Sequence, residues 1–328
     1  MLDIYPWQQA LWQQLVSRKQ YAHAYLLLGP TGIGKRVLAD QLAARLLCQD
    51  PQPLSACGQC KSCHLLAAGT HPDLYLLEPE EADKAIKVDQ VRDLVEFVVK
   101  TPQLGGRKLV LIEPAEAMNP NSANALLKSL EEPAGNTVML LISHQPSRLL
   151  PTIKSRCVQQ ACPLPDVGQC LAWLQESQPQ LDRQQALDLL ALSGGSPLTA
   201  LRLLALDVIG QRQKVVEGVK KLLKQQISPS QLTESWSTVA LPLLFDWFCE
   251  WSQILLRYQL TRDESSLGLE DMHKVLQYLA NKAPQHKVLA MQDWLLLQRQ
   301  KVMGRANLNR ALLLEALLVQ WANLSGSS

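Results

Sequence analysis

Short apolar blocks alternate with helical patterns through the first half of the chain. Tyr25–Leu28, Leu74–Leu77, Leu109–Ile112 and Val138–Ile142 have the length and aliphatic content of buried strands. Between them, Arg36–Leu47, Val88–Val99 and Ser122–Glu131 repeat apolar residues at helical spacing. Strands separated by helices predict a parallel sheet covered by helices. Cys162-Pro163-Leu164-Pro165 reads as a linker. Three short helices follow it, among them one with Ala186, Leu187 and Leu190 on one face. Ser193-Gly194-Gly195-Ser196-Pro197 stops that helix and starts the next. From 209 onward the spacing is helical, with Leu, Trp and Val stripes. The predicted organisation is an α/β domain over 1–163 with an insert at 48–63, a helical lid over 164–208, and an all-helical domain over 209–328.

Composition narrows the class. Apolar residues make up 47% and charged residues 19% of 328, which excludes a disordered chain. Thirty-two basic against 30 acidic residues give +2, less basic than a protein that holds DNA by charge alone. No apolar run reaches the ~18 residues needed to cross a bilayer. The first residues lack the pattern of a signal peptide. A cytoplasmic protein with no membrane partner is expected. Eight cysteines without a secretion signal do not suggest a disulfide scaffold; four of them cluster, which suggests metal.

Gly29-Pro30-Thr31-Gly32-Ile33-Gly34-Lys35 matches the Gly-x4-Gly-Lys phosphate loop, and it follows an apolar strand and opens a helix. Loop N–H groups can cradle phosphates there, with Lys35 reaching the terminal ones. The next residue should supply a hydroxyl to Mg²⁺ and is Arg36, which offers no oxygen. The strand ending at Ile112 should be followed by Asp-Glu and is followed by Glu113-Pro114. Glu113 can approach a metal, but Pro114 can neither accept a proton nor orient a water. Gly29, Gly32, Gly34, Lys35 and Arg36 thus form a degenerate nucleotide loop. Its retained residues leave two readings open, a loop that holds ATP or ADP and a loop that simply packs against the lid, and in either it lacks the means to hydrolyse nucleotide.

Cys48, Cys57, Cys60 and Cys63 offer four thiolates, two Cys-x2-Cys steps plus a more distant ligand, which suits a structural Zn²⁺. His64 and His71 are possible substitutes, but Cys48 completes the set better. His23, His144, His273 and His286 read as ordinary polar or core residues. The run Arg212, Lys214, Lys220, Lys221 and Lys224 reads as a solvated helix face. Trp236, Trp247, Trp251, Trp294 and Trp321 read as core or interface anchors.

Together with Gly69-Thr70-His71-Pro72-Asp73, the segment Ala123–Pro133 and Ser155-Arg156-Cys157, these motifs resemble the AAA+ clamp-loader subunits of bacterial DNA polymerase III. Within them the resemblance is to the delta prime family, over essentially the whole chain. It implies an AAA+ module with a zinc insert and lid, followed by an all-α collar domain. It also implies a hetero-oligomer with tau/gamma motor subunits and a delta subunit. Through that assembly the chain would act on a sliding clamp and primed DNA, as a part of the DNA polymerase III holoenzyme with no independent catalytic activity. Leu198 stands where hydrolysing relatives carry a lid arginine, a third departure after Arg36 and Pro114. The resemblance further implies that Arg156 is an arginine finger acting in trans, expected at the domain edge near the carboxyl ends of the strands. The alternatives are an active tau/gamma-like ATPase and, with less support, a zinc-dependent nucleic-acid binder.

Overall fold

The computed structural model describes residues 3–81, 84–104, 106–303 and 308–325, and the chain divides into two compact units, Met1–Arg202 and Leu203–Ser328. In the first unit the elements are α1 (Gln9–Val16), β1 (Ala24–Leu28), α2 (Lys35–Leu47), α3 (Lys61–Ala67), β2 (Leu74–Leu77) and α4 (Val88–Val99). They continue with β3 (Lys108–Ile112), α5 (Pro120–Glu131), β4 (Thr137–Ser143), α6 (Pro151–Lys154) and β5 (Val158–Ala161). The lid helices are α7 (Val167–Ser177), α8 (Arg183–Leu192) and α9 (Pro197–Ala205).

The five strands form one parallel sheet in the order β2-β3-β4-β1-β5. Side chains alternate across it, as a two-residue period requires. Tyr25, Leu27, Leu109, Leu111, Leu140 and Ile142 meet Leu15 of α1 with Leu38 and Leu42 of α2 on one face. Leu26, Val110, Ile112, Met139 and Leu141 meet Val91 and Leu94 of α4 with Leu126 and Leu130 of α5 on the other. Both faces are covered, so β1, β3 and β4 read as continuous apolar runs. The loop after β1 leaves the sheet where the strand order reverses, the usual ligand position of an open parallel sheet.

Local chemistry sets the helix ends. Asn119 caps α5 by accepting the Ser122 N–H, with Pro120 at the first helical position. Asp182 and Gln185 form a capping box on α8, and Pro197 opens α9. The sheet has one strand more than the apolar pattern reveals. Val158-Gln159-Gln160-Ala161 is a largely exposed edge strand, and its polar residues hide it.

In the second unit, α10 (Val208–Leu223), α11 (Pro229–Ser235), α12 (Leu241–Thr261), α13 (His273–Lys282), α14 (Gln285–Met303) and α15 (Arg310–Ala322) make an all-helical domain. Phe248 of α12 packs at 5.0 Å from Trp251 and 4.9 Å from Trp321 of α15. Trp236, Trp251 and Trp321 are fully buried, so they act as core. Arg212 departs from the expected solvated face. It is 4% exposed, donates to Asp271 at 2.7 Å and Glu250 at 3.3 Å, and lies over the Trp251 ring. The aromatic side of α10's neighbours draws it inward, and the two acids compensate the buried charge. Among the described residues no helix is long and apolar enough to cross a membrane.

Candidate phosphate loop, metal centre and Arg156

The loop between β1 and α2 has the backbone of a phosphate cradle. Gly32 (φ 78°) and Gly34 (φ 87°) take left-handed conformations, the backbone region such loops use and glycine adopts without strain. Close neighbours also demand glycine. A Cβ on Gly32 would overlap the Thr199 hydroxyl of α9, and one on Gly34 would overlap the Tyr5 ring. Trp7 Nε1 and Gln8 Nε2 each donate to the Ile33 carbonyl at 2.9 Å, and the Leu198 N–H donates to the Gly32 carbonyl at 3.0 Å. Trp7 stacks on Tyr5 (4.9 Å between centroids) and meets Trp173 of α7 edge-on at 5.3 Å. The amino-terminal segment and the lid therefore clasp the loop from two sides.

Lys35 is 2% exposed and turns back on its own loop, donating to the carbonyls of Gly29 at 2.6 Å and Pro30 at 2.5 Å. Burial pulls its pKa down to about 8, against the opposing pull of nearby Cys162, Glu113 and Glu116. Arg36 lies across the two halves of the expected metal position. It donates to Asp40 at 3.0 Å, to Glu113 at 2.9 Å, and to Glu78. Burial works against its charge, but Glu113, Glu78 and Asp40 hold it protonated.

His144 belongs to this site, contrary to its reading as an ordinary polar residue. It follows β4, its Nε2 lies 3.5 Å from Glu113, and burial lowers its pKa, with the charge of Lys35 adding to the effect. Glu116 accepts the N–H groups of both His144 and Gln145. Arg202, one turn beyond Leu198 on α9, adds a further, smaller push on the His144 pKa. Position at the end of a central strand, beside the loop, is the signal that identifies His144. A lone histidine in sequence carries none.

The four cysteines converge. Sγ–Sγ separations are 3.9 Å for Cys48–Cys60 and Cys57–Cys63, and 3.7 Å for Cys48–Cys63, with all four sulfurs within 4.8 Å of one another. A tetrahedron with metal–sulfur bonds of ~2.3 Å has edges of about 3.8 Å, so the set fits a bound metal ion. All four are free thiols. The Cys48, Cys57 and Cys60 sulfurs accept the N–H groups of Cys57, Cys60 and Cys63 respectively. Trp12 Nε1 donates to the Leu54 carbonyl at 3.0 Å and ties the insert to α1.

His71 is not an available ligand. Its Nδ1 accepts the Asp73 N–H at 3.1 Å, so the proton sits on Nε2, which donates to Ser62 Oγ at 2.8 Å. Ser62 in turn donates to the Leu47 carbonyl at 2.7 Å, and the Asp73 carboxylate accepts the N–H groups of Gln103 and Leu104. Ser62, His71 and Asp73 have the residue types of a hydrolytic triad and the wrong connections. Ser62 is fully buried and no carboxylate orients the imidazole. They join the cysteine module to the sheet. His64 is exposed.

Arg156 differs from expectation in place. Val158, two residues on, pairs with Tyr25 near the start of β1, so Arg156 lies at the amino ends of the strands, away from the chain's own phosphate loop. Pro151 starts α6, and because β5 runs parallel to β1 the residues just before Val158 lie at that end. Its side chain is 30% exposed, bonds Glu131 at the end of α5, and donates to the Thr152 carbonyl at 2.9 Å.

A parallel sheet with a phosphate loop at its switch point and a helical lid on that loop define an AAA+-type module, and the all-helical second unit follows it in the chain. Comparison with known proteins carries this further. The family described as DNA polymerase III, delta subunit matches residues 6–164, and its C-terminal counterpart matches residues 207–323. The DNA polymerase III subunit delta' of Pseudomonas aeruginosa is 71% identical over 326 residues, covering 99% of each chain. The subunit delta' proteins of Yersinia pestis (35%, covering 98% of this chain and 96% of that one) and Escherichia coli strain K12 (32%, covering 96% and 94%) are also similar. A DNA polymerase III gamma subunit-related structure from Thermotoga maritima is 24% identical with a TM-score of 0.46, covering 97% of this chain and 99% of that one. The chain belongs to the DNA polymerase III subunit delta' family.

Proposed function

We propose that this chain is a non-hydrolysing partner in a clamp-loading assembly, seated among tau/gamma motor subunits and a delta subunit in the cytoplasm. It helps them load a sliding clamp onto primed DNA, and contacts clamp and DNA through the assembled complex. The observation that carries the non-hydrolysing role is the Arg36–Glu113 ion pair at 2.9 Å, across the position where Mg²⁺ would bridge loop and strand end. An active ATPase gains little support from Lys35, whose ammonium is bonded to the loop's own carbonyls. ATP or ADP must displace those bonds to reach it. The cysteine cluster holds one Zn²⁺ with no open position, which gives it a structural role.

Arg156 is the arginine finger for the neighbouring motor subunit. Its position at the amino ends of the strands, opposite the chain's own loop, supports action on another subunit's nucleotide. Guanidinium stays charged and presents fixed donors to a γ-phosphate. Two measurements test the proposal. Steady-state phosphate release by the isolated chain should be absent; turnover that disappears in Lys35→Ala protein would refute inactivity. Arg156→Ala should leave assembly intact and lower the DNA- and clamp-stimulated ATPase of the reconstituted loader. Wild-type ATPase and loading rates in the mutant complex would leave Arg156 a surface ion pair with Glu131.

A further inference from the structure

Three acids reach Arg36 from three elements. Asp40 lies one turn further along α2, Glu78 follows β2, and Glu113 follows β3. One guanidinium thereby joins the first turn of the loop helix to the carboxyl ends of two strands. In a phosphate-loop protein that hydrolyses nucleotide, this junction belongs to Mg²⁺, held by the hydroxyl after the lysine and by an acid at the strand end. Here the residue after the lysine is itself the cation, and the acid at the strand end is its partner. Asp40, Glu78 and Glu113 together carry three negative charges, and Arg36 removes one of them at bonding distance to all three. An arginine suits such a place because it keeps its proton and offers a planar set of donors to several oxygens at once.

We propose that Arg36 is a built-in replacement for the divalent cation, which makes the fold of this loop independent of magnesium. The inference rests on the reading of the loop as non-hydrolysing, but its test involves no nucleotide and no turnover, so the two can fail separately. Full-length wild-type protein, Arg36→Thr and Arg36→Lys are melted without chelator, so that metal on the cysteines is kept, with and without millimolar magnesium chloride. Manganese binding is read by electron paramagnetic resonance on the same proteins.

Wild type should melt at the same temperature in both buffers and leave manganese free. Arg36→Thr, which exposes the three acids and adds a hydroxyl oxygen, should melt several degrees lower and recover with magnesium, binding about one manganese ion. Arg36→Thr/Glu113→Gln should lose that manganese. Arg36→Lys keeps a charge in place and should melt alike in both buffers and leave manganese free. If Arg36→Thr does not fold in either buffer, Arg36→Gln, which removes the charge and keeps a donor, is read in its place and should bind about one manganese ion. Manganese left free by it would overturn the proposal equally. Manganese bound by wild type or Arg36→Lys, or an Arg36→Thr protein that folds and ignores both metals, would overturn the proposal.

Discussion

Lys35→Met should change how stability depends on pH in a way that only a buried, readily deprotonated lysine produces. Lys35 is almost completely buried, and burial lowers its pKa from 10.5 to about 8. Below pH 8 the ammonium is charged in both folded and unfolded chains, and the fold carries the full cost of burying it. Between pH 8 and 10.5 the unfolded chain still binds a proton that the folded chain has released, so stability rises with pH. Above 10.5 both states are neutral and the cost is gone. At 1.36 kcal/mol per pH unit, a span of about 2.5 units amounts to about 3 kcal/mol. Methionine removes the charge, and with it the bonds to the Gly29 and Pro30 carbonyls, which shifts the mutant by an amount that does not vary with pH. The quantity to measure is therefore the wild-type minus Lys35→Met stability of the first unit, from urea unfolding at intervals from pH 7 to 10.5. It should climb by about 3 kcal/mol, steeply above pH 8. A flat difference would mean that Lys35 titrates as an exposed lysine does, and would refute the account of the closed loop.

Protein purified without added zinc should contain about one equivalent, and Cys60→Ser should lose both the metal and stability; full metal content in that variant would refute the assignment. Ser62→Ala leaves the Leu47 carbonyl and the His71 Nε2–H without a partner, and should cost ~1–3 kcal/mol by denaturant unfolding and speed metal loss to a chelator. Arg212→Met should destabilise the second unit by about 3 kcal/mol, the low end for breaking a buried ion pair, because Glu250 and Asp271 keep some solvent. A calorimetric midpoint unchanged in Arg212→Met would place that arginine back on a solvated face.

Features set by neighbours in sequence are legible in the chain itself. The cysteines lie within sixteen residues, so spacing alone brought them together, and the strand–Gly-x4-Gly-Lys–helix pattern located the loop. The central strands are buried on both faces, so their apolar blocks stood out. What depends on distant partners did not. The clasp of Tyr5, Trp7 and Trp173 joins residues from the two ends of the first unit. Arg212 looked like its lysine neighbours until Asp271 and Glu250 were folded against it. His144 took its meaning from Glu113, and β5 was concealed by glutamines that an edge strand tolerates. Arg156 was misplaced because the count of residues after β4 gives no direction, whereas the pairing of Val158 with Tyr25 does.

The clasp over the phosphate loop also makes the protein its own optical probe. Trp7 and Trp173 are edge-on at 5.3 Å, close enough for their indole transitions to couple and produce a near-ultraviolet circular dichroism band that exists only while the lid and the amino-terminal segment are both docked. Of the other six tryptophans, Trp12 is a buried residue of α1 and five lie in the second unit. Trp7→Phe and Trp173→Phe difference spectra would isolate that band. Opening of the loop could then be followed in the unlabelled assembly, separately from melting of the helical domain.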